Sequence, residues 1–151
     1  MYEEEREKVI EVAKTWLKTP YVPEARVKHG GCDCGTFLAE VFEEAGMIGH
    51  VPIEHYPVDI ACNCATPKYL MKILEYTVRV HREPITGDII VYQFGGSLVP
   101  HHAALCIDSE YIIHSYTNHG VTISNRRGYK KFEYGIYSLK RWEKGGVNGH
   151  F

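Results

Sequence analysis

The hydrophobic pattern of this chain changes period once, and that change limits the folds open to it. Up to about Val78 the apolar residues recur at helical spacing; from Thr86 and Gly87 onward they fall in short runs separated by Gly, Asn or Asp. In the first half, Val9, Ile10, Ala13, Trp16 and Leu17 predict a helix from Glu4 to Lys18 that stops before Thr19 and Pro20. Phe37, Leu38, Val41 and Phe42 predict a second helix from about Cys34 to Ala45, closed by Gly46. Thr66 and Pro67 suit the N-cap and first turn of a third, running through Tyr69, Leu70, Ile73 and Leu74 toward Val78. In the second half, strands are expected over Asp88 to Phe94, His102 to Ile107, Glu110 to Tyr116, Val121 to Ser124 and Tyr134 to Leu139. Helices gathered on a central antiparallel sheet of about five strands make an α+β fold.

A chain of 151 residues with this patterning is expected to form one domain over 1–151, long enough to bury a core. The stretch at about 49–82, rich in prolines and turns before its helix, reads as an irregular and helical insert. A formal net charge of -2 and no basic stripe argue against a nucleic-acid partner. The densest basic cluster, Arg126 and Arg127 with Lys130 and Lys131, reads as a solvated loop. No stretch approaches the ~20 apolar residues of a membrane span, and the acidic, helical start is unlike a secretory signal. The expectation is therefore a cytoplasmic protein as encoded, with no membrane partner. Nothing in the sequence speaks to an oligomer.

The chemistry concentrates around Cys34. Gly30 and Gly31 lead through Cys32 and Asp33 into Cys34, where the second helix begins. A cysteine at a helix N-terminus meets unpaired backbone N–H groups and the positive end of the macrodipole, which favour a thiolate. The sequence also holds two Cys-x-Cys pairs, Cys32/Cys34 and Cys62/Cys64, besides Cys106. Those four thiols could alternatively form a zinc-binding structural or interaction module, although one residue between ligands is tighter than the usual zinc spacing. Cys106, in an apolar run, reads as a small buried hydrophobe.

A base is found in the strands. With a turn at Ile107-Asp108-Ser109, His102 falls opposite His114 in an antiparallel pair, and directly opposed residues share a face. Two histidines beside an activated thiol suit a general base and an orienting partner. His102 would take the Cys34 proton while His114 fixes its ring and tautomer. An imidazolium neighbour plus the helix terminus would bring the thiol well below pH 7. His101 alternates to the opposite face, and Trp16 and Trp142 read as packing residues.

With these segments in hand, the chain resembles the NlpC/P60 superfamily of papain-like cysteine hydrolases. Four segments in order carry the resemblance: Leu17 to Tyr21, ending in Pro-Tyr; Gly31 to Cys34 with the following helix; Thr86 to Tyr92, a Gly-Asp-hydrophobic strand; and His102 through His114. The resemblance implies Cys34 as nucleophile, His102 as base and His114 as the orienting group. It sets Tyr21 and Asp33 on the substrate side of the site, Tyr21 lining it near the thiol and Asp33 supporting the loop. It further implies amide hydrolysis through an acyl-thioester, without a cofactor, commonly on bacterial cell-wall peptides. The substrate partner would be a small peptide or murein peptide, reached by phage delivery or lysis. Gly35 and Thr36 stand where the family usually has Ser-Gly, and Ala103 and Ala104 where it commonly has Val-Gly. An inactive, phage-associated member of the family is the remaining alternative.

Overall fold

A computed structural model describes residues 2–52 and 68–147. The expected cap at Thr66 and Pro67, and the thiols Cys62 and Cys64, lie outside the described residues. In chain order the elements are α1 (Glu3–Lys14), β1 (Arg26–Val27), β2 (Gly31–Cys32), α2 (Cys34–Glu44), α3 (Lys68–Leu74), β3 (Thr77–Val80), β4 (Ile89–Tyr92), β5 (His102–Cys106), β6 (Tyr111–Tyr116), β7 (Gly120–Asn125), a 3-10 helix (Arg126–Phe132), β8 (Glu133–Leu139) and α4 (Lys140–Val147). Strands β3 to β8 form one antiparallel sheet in the order β3-β8-β4-β5-β6-β7, so the α+β expectation stands with six strands in place of about five.

The extra strand corrects the reading of the third helix. That helix ends at Leu74, where the Thr77 hydroxyl donates to the Leu74 carbonyl at 2.8 Å and caps the last turn. Thr77 to Val80 then pairs with β8 as the sheet's edge. The segment is β-branched at three of its positions and points Thr77 inward with Val78 and Arg79 exposed, a half-buried strand pattern too short to outweigh the preceding helical period. The last part of the expected 49–82 insert is thus integral to the sheet.

Both faces of the sheet are covered. Residues of odd number on the central strands, Ile89, Val91, Ala103, Leu105 and Ile113, join Phe37, Leu38, Val41 and Phe42 of α2 in the main core. Each of the large side chains among them, Ala103 aside, contributes on the order of 1.5–3 kcal/mol by leaving water. Their alternates, Ile90, Tyr92, Ala104, Cys106 and Ile112, form a second cluster closed by Phe94, Tyr129, Phe132 and Ile136. The 3-10 helix carries Tyr129 onto that second face, so the basic cluster is not simply a solvated loop. Arg127, Lys130 and Lys131 are exposed, but Arg126 is buried and held by Glu133 through Nε at 2.7 Å and Nη2 at 3.0 Å.

A second buried charge ties α1 to the sheet. Arg6 projects inward from α1, just after its acidic first turn, and its Nη1 donates to Asp88 Oδ1 at 2.9 Å. Asp88, at the entry to β4, also accepts from Arg82 Nη1 at 2.6 Å and from the Ile85 N–H at 2.9 Å. Trp142 from α4 lies over the Arg6 guanidinium at 4.3 Å and belongs to the core, as does Trp16. No helix among the described residues is long and apolar enough to cross a membrane.

One close approach positions the loop before the thiol. Val121 N–H donates to the Thr19 carbonyl at 2.9 Å and Lys18 N–H to the Val121 carbonyl at 3.0 Å, clamping the end of the α1 segment onto β7. Gly120 stands at φ +70, with the Thr19 and Pro20 backbone where a Cβ would go. Only glycine allows both the left-handed turn and that contact.

Candidate active site

Cys34 is the first residue of α2, and its environment is built by Asp33. The Asp33 carboxylate accepts from Thr36 N–H at 2.8 Å, and the Thr36 hydroxyl accepts from Asp33 N–H at 2.8 Å, a reciprocal capping box. The second carboxylate oxygen accepts from Glu24 N–H at 2.7 Å, which ties the preceding loop to the helix start. Both oxygens are therefore engaged by backbone, and the side chain is buried. Asp33 acts on the loop, and a direct role in holding substrate finds no geometric basis here.

The thiol is almost sealed, 1% exposed. The N–H groups of Ala103, of Cys34 itself and of Gly35 are directed at it and favour the thiolate, the last two as the helix terminus requires. Burial outweighs them, aided by the neighbouring Asp33 charge, and pushes the Cys34 thiol up from its ordinary value. This reverses the expectation of a thiol titrating well below pH 7. The local motif supplies the right donors, but their effect is smaller than the desolvation imposed by the whole fold.

His102 and His114 do meet, in a different register from the one expected. The ladder pairs Leu105 with Ile113 and Cys106 with Ile112, a shift of two residues from direct opposition of the histidines. The cause is the turn. Asp108 Oδ1 accepts from the N–H groups of Glu110 and Tyr111, at 2.8 and 2.9 Å, which moves the reversal to Asp108, Ser109 and Glu110. A two-residue shift preserves the face, so the imidazoles become diagonal neighbours. His102 Nε2 lies 2.7 Å from His114 Nδ1, with the ring centroids 4.9 Å apart.

Both rings lie on the sheet face opposite α2, in an aromatic enclosure. Tyr92 and Phe94 pack on His102 at 5.9 Å, Tyr116 on His102 and His114 at 5.2 Å, and Tyr129 on His114 at 5.5 Å. His101 packs edge-on against Phe94 at 5.1 Å. The thiol reaches β5 at the Ala103 N–H, one residue along the strand from His102. Nδ1 of His102 makes no hydrogen bond to any described residue, and none links Cys34 directly to it.

Burial holds His102 well below its ordinary value, with the neighbouring His114 and His101 acting the same way. His114, fully buried, is pushed down to about 4, first by burial and then by His119. Both are neutral near pH 7, where an unfolded histidine titrates at about 6.5. A depressed folded value means that unfolding takes up protons below about pH 6.5, so the stabilisation is complete above that pH. It is lost as pH falls toward 4, by an amount on the order of 3 kcal/mol for His114. Urea unfolding at about pH 7 and about pH 4.5 should show this loss, and His114→Gln should flatten it. An identical pH dependence in the variant would remove the assignment.

Tyr21 approaches the thiol from the clamped loop. It forms a parallel bridge with Cys32, its hydroxyl bonds the Thr117 side chain, and burial together with the Cys34 and Asp33 charges raises it to about 12. Cys32 points elsewhere: its thiol donates to Ser115 Oγ at 3.6 Å, and burial takes it up to about 12. Cys106 is buried as expected. No group of three or more His, Cys, Asp or Glu side chains among the described residues is arranged to hold a metal ion.

Several site residues were not legible in the sequence. Tyr116 and Tyr129 enclose the histidines, and Ser124 Oγ lies 2.9 Å from His114 Nε2. Alternation from His114 would have picked out Tyr116. Ser124 needed the β6–β7 register, in which His114 faces Thr122.

The NlpC/P60 family model matches residues 18–135, and no curated protein matches the chain. Among solved structures, the NlpC/p60 domain of the peptidoglycan hydrolase SagA is 16% identical, with a TM-score of 0.59 over 89% of this chain and 98% of that one. NlpC2 from Trichomonas vaginalis is 16% identical, with a TM-score of 0.66 over 89% of this chain and 47% of that one. An NlpC/P60 family protein from Bacillus cereus is 23% identical, with a TM-score of 0.62 over 87% of this chain. This chain spans 39% of the length of that protein.

Proposed function

Because the chain belongs to the NlpC/P60 family, we propose that it is a cysteine hydrolase of amide bonds, acting as a single catalytic domain on bacterial cell-wall peptides. Cys34 is the nucleophile, His102 the general base and His114 the group that orients it. The observation that carries this reading is the buried 2.7 Å contact between the two imidazoles, on the strand whose next N–H holds the Cys34 thiol.

The resting site holds a neutral thiol and neutral imidazoles, so the base acts when substrate arrives. Nδ1 of His102 takes the thiol proton as the sulfur attacks the carbonyl carbon, and the new C–S bond leaves negative charge on the carbonyl oxygen. Backbone N–H groups at the start of α2 would stabilise that charge. The imidazolium then returns its proton to the leaving amine as the C–N bond breaks, giving the acyl-thioester. Water, deprotonated by His102, releases the acid. Because the base titrates low, the acid limb of kcat/KM lies below pH 6.5.

Cell-wall peptides are the substrate class suggested by the likeness to the NlpC/p60 domain of SagA, a peptidoglycan hydrolase. Murein tripeptide and tetrapeptide fragments, incubated with the protein and with Cys34→Ala, test this by mass spectrometry. A new amine and acid product with the wild type alone is expected. Intact fragments throughout, from a protein whose Cys34 still alkylates readily, would contradict the substrate class.

A further inference from the structure

His102 and His114 alone do not determine whether the base is competent. We propose that Ser124 is a positioning residue that fixes the tautomer of His114 and thereby keeps Nδ1 of His102 a proton acceptor. The proposal rests on the reading of Cys34 and His102 above and adds a fourth member to their chain.

The argument is one of hydrogen counting. A neutral imidazole carries one N–H and one bare nitrogen. The 2.7 Å contact between His102 Nε2 and His114 Nδ1 holds a single hydrogen, which leaves two arrangements. In the first, His102 Nε2–H donates to His114 Nδ1. Nδ1 of His102 is then bare and able to take the thiol proton, and His114 must carry its own hydrogen on Nε2. In the second, His114 Nδ1–H donates to His102 Nε2. Nδ1 of His102 then already carries a hydrogen and cannot act on Cys34, while Nε2 of His114 is bare.

The two arrangements make opposite demands on Ser124 Oγ, 2.9 Å from His114 Nε2. The first requires the hydroxyl to accept, the second requires it to donate. Register places it there: His114 pairs with Thr122 across β6 and β7, and Ser124 is the next residue along β7 on that face. His114 is fully buried, so its Nε2–H needs a protein acceptor. Ser124 is half-buried and can turn its own hydrogen outward to water. Protonation of His102 also keeps Nε2–H donating to His114 Nδ1, so the first arrangement survives proton transfer unchanged, and the second would need its hydrogens to move along the chain first. Ser124→Ala removes the acceptor and strands the Nε2–H, which drives His114 toward the unproductive tautomer.

The test combines imidazole 15N NMR of the full chain with iodoacetamide alkylation of Cys34. In the wild type both His102 and His114 should show the Nε2–H tautomer. In Ser124→Ala the His114 signals should move toward Nδ1–H, and Cys34 alkylation should slow about tenfold, the effect of one lost hydrogen bond. Ser124→Thr, which keeps the hydroxyl, should restore both, whereas a purely structural role would leave the tautomer unmoved. A wild-type His114 with its hydrogen on Nδ1, or an unchanged His114 tautomer in Ser124→Ala, overturns the proposal even if His102→Ala still slows alkylation. Alkylation indifferent to His102→Ala, with both tautomers as expected, instead overturns the reading of His102 as base.

Discussion

Cys34→Ala is expected to lower kcat/KM by at least about 10⁴-fold while leaving the unfolding free energy within about 1 kcal/mol of wild type. The asymmetry follows from what the sulfur touches. It is buried, yet its surroundings are backbone N–H groups at the start of α2 and the edge of β5. Asp33, Thr36 and Glu24 complete the cap without it. Losing one atom from such a site costs little packing, but it removes the sulfur that the proposed mechanism uses as nucleophile. His102→Ala should fall nearly as far, because proton transfer fails. His114→Ala should be milder, since that ring orients the base without exchanging a proton with substrate. Steady-state kinetics on a cleaved murein fragment measures all three. A His114→Ala defect equal to that of Cys34→Ala would show the roles to be wrongly divided.

The largest stability effect is expected at Asp88. Asp88→Ala removes the carboxylate that faces Arg6, whose guanidinium is buried beneath Trp142, and also the acceptor for Arg82 and for the Ile85 N–H. Breaking a buried ion pair from one side leaves the other charge uncompensated, and the cost is about 3–5 kcal/mol. Glu143 Oε2, 3.4 Å from Arg6 Nη2, is too long and too exposed a contact to replace it. Removing both charges should cost far less, because the penalty belongs to the stranded guanidinium. Arg6→Met with Asp88→Leu is therefore expected to be more stable than Asp88→Ala in urea unfolding. A double variant as unstable as the single one would mean that the Asp88 bonds to the Ile85 loop dominate. Asp88 sits in the Gly-Asp segment that carried the family resemblance, and its place in the fold is that of an anchor between α1 and β4.

What the sequence disclosed depended on whether the decisive interaction was local. The α2 helix was legible because its amphipathic face and its cap lie within a dozen residues, and the hydrophobic positions that define it are the ones that pack on the sheet. The histidine pair was legible in its face, since alternation survives a two-residue shift, but not in its register, which Asp108 sets through two backbone N–H bonds. The β3 strand was hidden because its four residues follow directly on a helix. Arg126 and Tyr129 were hidden by the charges around them: composition marks the segment as basic and says nothing of one arginine turning inward to Glu133. The direction of the Cys34 shift was the least legible feature. The donors that favour a thiolate are encoded beside the cysteine, while the desolvation that outweighs them comes from α2, β5 and the Tyr21 loop closing together.

The central claim is that the sulfur of Cys34 is activated by His102. Alkylation of the full chain by iodoacetamide at about pH 7, followed residue by residue in the wild type and in His102→Ala, tests it most directly. The account predicts Cys34 labelling in the wild type ahead of Cys32 and Cys106, and slower by at least about 10²-fold once His102 is gone. Labelling of Cys34 at the same rate in both proteins would contradict it.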